Sequence, residues 1–282
     1  MKQQLKKAIQ QVWPSLYFTI SSYKFQQYCK KRFQSFQSEF RGAVYSEDEI
    51  KVLSGPFKGM KYYDRIVWGA ITPKWLGSYE QQLHTIINKI ASIKYSKIID
   101  IGAAEGYYAV GLALRSPQAQ VTSYDIDPIA RKRQFQLLAL NAVNNLKVRR
   151  YCTHQKLAAE IKNDCVVVCD IEGYEVILLD PEKCPELTCA DILVEIHKFE
   201  GKSVEDVRNL LESRFTGTHA IKRFDVADYN LCSLRQIPQI AKLPDSILLE
   251  ALNEHRSYSQ CWLWMEAEQG AAANALPSLT EL

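Results

Sequence analysis

The feature that most constrains the fold is a regular alternation of short apolar segments and helical patterns that begins at residue 97. The apolar segments predict strands at 97–101, 120–125, 146–152, 165–169 and 191–196. The patterns between and after them predict helices at 105–115, 128–141, 155–162, 174–179 and 203–213. Strands that alternate with helices form right-handed βαβ units, which place the strands in a parallel sheet. We therefore expect an α/β fold with a doubly wound sheet.

Outside these repeats, turn residues and composition divide the chain. Strand-like stretches follow at 220–226 and 260–267, a helix is expected over 79–92, and short strand-like runs lie at 50–53 and 60–63. With 282 residues, of which 47% are apolar, the chain can bury a full core. We predict an N-terminal helical extension at 1–42, a cap or substrate-side segment at 43–94, the α/β core at 95–267 and a disordered tail at 268–282.

The N-terminal extension is basic and aromatic. Residues 1–42 contain eight basic residues and one acid, so the rest of the chain is mildly acidic. This distribution argues against a nucleic-acid surface spread over the main body. The extension can cover the core or join copies of the chain as an oligomer contact, and a basic helix can also lie on an anionic membrane or bind a protein partner.

The eight cysteines and the absence of long apolar runs bear on location. None of the cysteines forms a C-x-x-C pair, and their scatter predicts reduced thiols. No run approaches the roughly 18 apolar residues of a membrane span, and no signal-peptide pattern opens the sequence. We expect a cytoplasmic protein.

The loop after the first predicted strand carries the first candidate binding residues. Asp100, Gly102 and Gly106 form an Asp-x-Gly-x-x-x-Gly pattern, in which glycine allows close backbone approach and positive φ. A dinucleotide fold instead has G-x-G-x-x-G around a pyrophosphate. The carboxylates of Asp100 and Glu105 disfavour a pyrophosphate and suit a ligand with cationic ends, such as a sulfonium amino acid.

The end of the second predicted strand carries a further acid. Asp125 is placed to accept hydrogen bonds from two ribose hydroxyls, and Ile126 beside it is counted with the cofactor-binding residues. Together the two loops resemble the first two motifs of class I S-adenosylmethionine-dependent methyltransferases. Glu80 is a candidate for the amino-acid end of that donor, and its alternative role is a first-turn acid at a helix N-terminus.

The loop after the fourth predicted strand indicates which group of these methyltransferases the chain resembles. The Asn/Asp-Pro-Pro-aromatic motif of base- and amino-methylating enzymes is absent there. Asp170-x-Glu172-Gly173-x-Glu175 instead resembles the signature of the FkbM-type methyltransferases. Four other segments resemble that family, over roughly residues 50–265 in all: Gly55-Pro-Phe-Lys-Gly-Met, Leu76-Gly-Ser-Tyr-Glu-Gln-Gln-Leu, Ile192-Leu-Val-Glu-Ile-His and Asn253-Glu-His-Arg.

The resemblance implies a mostly parallel, seven-stranded sheet of the Rossmann-like class I methyltransferase type, S-adenosylmethionine as donor, and methylation of a hydroxyl on a sugar, glycan or other small-molecule scaffold. An alcohol nucleophile benefits from a base. His197 is the candidate base or substrate orienter, with Asp170 and Glu172 beside the reaction centre. A structural role for His197 stays open. We assign no metal, although these three residues and Glu195 could alternatively hold Mg²⁺ through oxygen ligands.

Two other functions stay open at this stage. The basic extension could grip phosphates in an RNA methyltransferase, whose affinity for RNA would fall steeply with salt. The chain could also be a binding module that keeps the fold without activity. The intact set of Asp100, Gly102, Gly106 and Asp125 argues against a dead site. The partner that we expect is a small-molecule or glycan acceptor, with no nucleic acid.

Overall fold

A seven-stranded sheet forms the centre of the protein. The computed structural model describes residues 14–45, 49–65, 68–162, 164–226, 231–256 and 260–268. Two short strands pair antiparallel before the sheet begins. The strands are β1 (Ile50–Lys51), β2 (Lys61–Tyr62), β3 (Lys97–Ile101), β4 (Gln120–Tyr124), β5 (Leu146–Arg149), β6 (Cys165–Cys169), β7 (Asp191–Ile196), β8 (His219–Asp225) and β9 (Cys261–Ala267).

The order of the strands in the sheet is β5-β4-β3-β6-β7-β9-β8. The five strands from β5 to β7 are parallel, and β9 runs antiparallel between β7 and β8. The chain runs outward from β3 to β5 and then returns to place β6 on the other side of β3. This reversal creates a switch point between β3 and β6, and the doubly wound, mostly parallel, seven-stranded prediction is confirmed.

The helices surround this sheet. They are α1 (Pro14–Val44), α2 (Thr72–Leu76), α3 (His84–Ser92), α4 (Tyr107–Arg115), α5 (Pro128–Leu140), α6 (His154–Glu160), α7 (Glu175–Leu178), α8 (Val204–Phe215), α9 (Leu231–Leu234) and α10 (Asp245–Leu252), with 3₁₀ turns at Gln81–Leu83 and Pro185–Cys189. Helix α8 begins after Ser203, which forms a reciprocal capping box with Asp206. Helices α2, α9 and α10 were not predicted, since their sequences are short or lack clear periodicity.

Two predicted helices begin later than expected because of left-handed residues. Helix α4 starts at Tyr107 rather than at residue 105, since Ala104 (φ 45°) and Gly106 (φ 98°) form a turn before it. The helix predicted from residue 79 starts as the 3₁₀ turn, since Glu80 has φ 49°. A residue with this backbone cannot continue a right-handed helix. Both turns lie at the edge of the candidate site.

The sheet is buried on both faces. All five residues of β6 are buried. Its alternate residues Val166 and Val168 pack into one apolar cluster, and Val167 packs into the other, on the opposite face of the sheet. This arrangement explains why β6 is a continuous apolar run rather than an alternating one.

Helix α1 packs along the body of the protein. Its residues Cys29 and Phe40 are buried, and the Nε atom of its Arg41 lies 3.1 Å from Asp64 Oδ2. Tyr23 and Tyr28 stay more than half exposed. The prediction of a helical N-terminal segment is confirmed over the part that the structure describes. Residues 1–13 and the predicted tail from 269 onward lie outside the described residues.

Two further observations concern location. All eight cysteines are free thiols. Within the described ranges, we find no helix that combines the length and the apolar character needed to cross a bilayer.

Candidate active site

The two loops beside the switch point approach so closely that one position must be glycine. Gly102 follows β3 with φ 86°, and a Cβ atom there would lie 1.6 Å from the carbonyl oxygen of Asp170. Gly106 ends the same turn with φ 98°, and its Cβ would lie 3.1 Å from Gln134 Cγ. Gly102 therefore lets the loops after β3 and β6 come into direct contact, at the edge where open α/β sheets bind ligands.

Asp125 joins the loops after β3 and β4. Its Oδ2 atom accepts a hydrogen bond from the Ala104 amide (2.9 Å) and its Oδ1 atom accepts one from the Asp127 amide (2.8 Å). Burial raises the pKa of Asp125 to about 7, although these hydrogen bonds act against it. Each oxygen keeps a second lone pair for a ligand hydroxyl. Ile126 next to it is 41% exposed and offers an apolar contact at the same edge.

Asp100 is a buried carboxyl group one residue before the end of β3. Its Oδ2 atom has no hydrogen-bond partner among the residues that the structure describes. Burial, together with the charges of Asp170 and Asp125, raises the pKa of Asp100 to about 8. A buried carboxyl oxygen without a partner is costly, so this atom is an available acceptor for a ligand.

Arg256 holds three acidic side chains in a buried cluster. Its Nη1 atom donates to Glu195 Oε1 (2.6 Å), its Nε atom donates to Glu254 Oε2 (2.8 Å), and its Nη2 atom pairs with Glu80. Nη2 also donates to the hydroxyl oxygen of Tyr79 at 2.6 Å. The cluster, here called the Arg256 cluster, links the loop before the first 3₁₀ turn, strand β7 and the loop before β9.

Glu80 lies inside this cluster rather than at an open helix end. One of its oxygens pairs with Arg256 and the other accepts from the hydroxyl of Tyr108. Its side chain makes no cap hydrogen bond to the turn that follows. Glu80 does stand at the N-terminus of the 3₁₀ turn, but its side chain pairs with other residues there, and its part in cofactor binding stays a prediction.

His197 follows β7 and is surrounded by carboxylates. Its Nδ1 atom lies 3.0 Å from Glu175 Oε1. Its Nε2 atom lies 3.7 Å from Asp170 Oδ1, 3.7 Å from Glu172 Oε2 and 3.6 Å from Glu195 Oε2, and it has no hydrogen-bond partner among the described residues. Burial lowers the pKa of His197, but the hydrogen bond to Glu175 and the nearby charges outweigh burial and raise it.

Acidic groups outnumber the cations of the site. Burial raises the pKa of Asp170 and of Glu254 to about 7, and burial with the charge of Asp170 raises the pKa of Glu195. Arg256 is the permanent cation of the cluster. The arrangement therefore favours a positively charged ligand.

Glu105, expected beside the ligand, has a structural role instead. Its Oε1 atom pairs with Lys74 and accepts from the Tyr62 hydroxyl at 3.0 Å, and its side chain is buried. This pair joins the start of α4 to α2. Because Lys74 neutralises Glu105, the carboxylate that opposes a pyrophosphate at this loop is that of Asp100.

The sequence analysis did not identify the residues that close the cluster. Arg256 and Glu254 lie in the Asn253-Glu-His-Arg segment, which was noted for its resemblance without a role. Tyr79 and Tyr108 were also missed. The available signal in the sequence is that Glu254 and Arg256 stand two positions apart, shortly before the strand predicted at 260–267. The contacts join residues about 175 positions apart, which periodicity cannot show.

The raised pKa values predict a pH dependence of stability. In the unfolded chain, Asp100 and Asp125 lose their protons near pH 4, whereas in the folded protein their pKa values are about 8 and about 7. The folded state therefore holds extra protons in this window, and its stability falls as pH rises through it. We expect urea denaturation to show that these two groups contribute a loss of roughly 4 kcal/mol between pH 6 and pH 8.

The matched variant for this experiment is Asp100→Asn, which cannot titrate at that position. Its stability should change less with pH than that of the wild type. A stability that rises from pH 6 to pH 8, or an identical slope in the variant, would contradict the assignment.

Comparison with known proteins gives structural similarity only. No family model and no curated protein matches the sequence. An rRNA methylase from Streptococcus thermophilus shares 12% identity over 67% of this chain and 97% of its own, with a TM-score of 0.44. A candidate O-methyltransferase from Klebsiella pneumoniae shares 10% identity over 88% and 100%, with a TM-score of 0.45. The C-terminal domain of a precorrin-6Y C5,15-methyltransferase from Rhodobacter capsulatus shares 14% identity over 67% and 89%, with a TM-score of 0.43.

These similarities are low, and no activity follows from them. The fold assignment rests on the strand order, the parallel register and the antiparallel β9 between β7 and β8. On this basis the chain has a Rossmann-like fold of the class I methyltransferase type.

Proposed function

We propose that the protein is an S-adenosylmethionine-dependent methyltransferase of the FkbM type that methylates a hydroxyl group on a small-molecule or glycan acceptor. The observation that carries the proposal is the buried Oδ2 atom of Asp100 at the switch point, for which the described residues supply no hydrogen-bond partner. A ligand that supplies a positive charge or a strong donor there would satisfy it. S-adenosylmethionine carries both an ammonium and a sulfonium group.

The surroundings of Asp100 support the same donor. Asp125 lies at the end of the neighbouring strand β4, where an acid can accept from ribose hydroxyls. Gly102 keeps the loop backbone free of a side chain at the crevice. The excess of carboxylates opposes a ligand that carries phosphates, such as a dinucleotide.

Methyl transfer needs little covalent chemistry from the protein. The acceptor oxygen forms a bond to the methyl carbon while the carbon–sulfur bond breaks, and its electron pair stays on sulfur, which leaves as a neutral thioether. The acceptor hydroxyl loses one proton in the process. Holding the two reactants in line supplies most of the acceleration. We place the acceptor hydroxyl at the group formed by His197, Asp170 and Glu172, which takes up this proton.

The pairing of His197 with Glu175 supports its role on the acceptor side. Glu175 is fully buried, and its Oε1 atom also accepts from the Ile171 amide at 2.9 Å. This fixed carboxylate orients the imidazole and favours a proton on Nδ1. The Nε2 atom then faces the acceptor side with a lone pair.

Calorimetric titration with S-adenosylmethionine tests the proposal. We expect saturable binding by the wild type and a loss of affinity of about 5- to 150-fold in Asp125→Ala, because two ligand hydrogen bonds contribute about 0.5–1.5 kcal/mol each. The control is Asp225→Ala, which removes an acid at the end of β8 that pairs with Arg223. Its affinity should equal that of the wild type.

Three results would decide against the proposal or its details. No binding by the wild type would leave a methyltransferase fold that acts as a binding module. Equal binding by Asp125→Ala would remove the ribose assignment. RNA binding by the same protein that weakens steeply with salt would favour an RNA acceptor over a small hydroxylated one.

A further inference from the structure

His197 keeps one ring nitrogen without a hydrogen-bond partner in the part of the chain that the structure describes. Its side chain is 9% exposed, its Nδ1 atom is engaged by Glu175, and its Nε2 atom has no hydrogen-bond partner within the described ranges. The Asp170 Oδ1 atom, 3.7 Å away, is likewise without one. Two unpartnered polar atoms that face each other beyond hydrogen-bond distance leave room for a third species between them.

We propose that this species is a divalent cation, bound by His197 Nε2, Asp170 and Glu172. Ligand atoms around a six-coordinate ion lie about 3.0 Å apart when the bonds are about 2.1 Å long. The Nε2 atom is 3.7 Å from both carboxylate oxygens. One ligand atom each of Asp170, Glu175 and His197 lies within 4.8 Å of the others, so Glu172 would have to rotate inward from solvent to complete one face of the coordination shell.

The charges of the group suit an ion with two positive charges. Asp170 and Glu172 supply two carboxylates, while Glu195 is already paired with Arg256 through its Oε1 atom. One imidazole and two carboxylates form a mixed nitrogen and oxygen set, which fits Mn²⁺ or Mg²⁺ with water in the remaining positions.

Glu175 gives the imidazole the support that metal-binding histidines have. A ligating histidine usually donates its other ring N–H to a carboxylate, which fixes the orientation of the ring. Glu175 makes this contact at 3.0 Å, and it is itself held by the Ile171 amide. We assign Glu175 as a positioning residue rather than a ligand, since its contact is to Nδ1.

Glu172 keeps the site open to solvent. Its side chain is 88% exposed, and its backbone is left-handed with φ 56°, which is costly for a residue other than glycine. This conformation places Glu172 Oε2 within 3.7 Å of the buried imidazole. An acceptor can therefore reach the ion from the solvent side.

The role of the ion rests on the proposed function. A divalent ion would bind the acceptor hydroxyl as a Lewis acid and make its proton easier to lose. With the ion bound, His197 Nε2 would act as a ligand rather than as the base, and the proton would pass through the second carboxylate oxygen of Glu172, which is 88% exposed, to solvent. With water in its other positions, the ion favours an acceptor that offers two neighbouring oxygens, such as a vicinal diol or a hydroxyl beside a carbonyl. Among hydroxylated acceptors, the proposed ion therefore selects those with two neighbouring oxygens.

Titration of the chelator-treated protein with Mn²⁺ tests the inference, followed by electron paramagnetic resonance. We expect one ion per chain with nitrogen modulation from an imidazole ligand in the pulsed spectrum. His197→Gln and Asp170→Asn should weaken binding at least tenfold, and Glu175→Gln should weaken it by about 10- to 100-fold. The control is His219→Gln, whose buried ring bonds to Thr218 and Ala190 on the far side of the sheet.

Nitrogen modulation in the wild type does not depend on how the variants fold. Bound Mn²⁺ without it, an affinity unchanged in His197→Gln, or no saturable binding would overturn the inference. Titration with S-adenosylmethionine in the presence of EDTA keeps the two proposals apart. If the protein binds the donor but not Mn²⁺, only the proposed cation site is wrong. If it binds Mn²⁺ but not the donor, the proposed methyltransferase function is wrong.

Discussion

Arg256→Ala is expected to lower the free energy of unfolding by about 3–5 kcal/mol, the usual cost of leaving buried charges without their partner. In the wild type, Arg256 is the partner of Glu80, Glu195 and Glu254, and the side chains of these acids are at most 5% exposed. Without the guanidinium, these carboxyl groups repel each other or must take up protons. Urea denaturation followed by circular dichroism measures the loss.

A surface arginine gives the matched control. Arg223 is 44% exposed and pairs with Asp225, so Arg223→Ala should cost less than about 1 kcal/mol. Arg256→Lys should recover part of the loss, since a lysine keeps the charge but cannot donate in three directions from a planar fork. Equal costs for the two alanine variants would show that the Arg256 cluster is not a buried one.

Gly102→Ala is expected to cost about 3–5 kcal/mol and to abolish donor binding. The new Cβ atom would lie 1.6 Å from the carbonyl oxygen of Asp170, so one of the two loops must move. Movement of either loop displaces Asp170 relative to Asp100. Thermal unfolding and calorimetric titration of the same preparation measure both effects.

The chain offers a control with the same backbone and free space. Gly59 has φ 89°, and a Cβ there meets nothing within 4 Å. Gly59→Ala should therefore show only the cost of a left-handed alanine, about 1–2 kcal/mol, with donor binding unchanged. If the two variants were equally stable, close loop contact would not be the reason for glycine at residue 102.

The sequence predicted the α/β class because strand and helix periods differ. The strand at 165–169 and the strand at 191–196 were predicted with the bounds that β6 and β7 have. A strand that is buried on both faces is a continuous run of apolar residues, and such a run can be recognised in the sequence without knowledge of the rest of the fold. The predicted starts of two helices were less accurate, because left-handed residues, Glu80 and Ala104, set where these helices begin.

The residues of the candidate site also fall into those that the sequence could predict and those that it could not. Asp100, Gly102 and Asp125 could be predicted from spacing, because parallel strands bring their carboxyl ends to one edge. Spacing could not show that Glu80 pairs with Arg256, since the two residues are 176 positions apart in the sequence.

The sequence by itself determined the order of strands and helices and the acids that end the strands, because each depends on residues close along the chain. Only the tertiary structure decided which acids are paired and which are left without a partner. It joined Glu105 to Lys74 and Glu195 to Arg256, and among the residues that the structure describes it left Asp100 Oδ2 and His197 Nε2 without a partner. Pairing depends on burial and on distances between remote segments, and these are fixed only when the sheet has assembled.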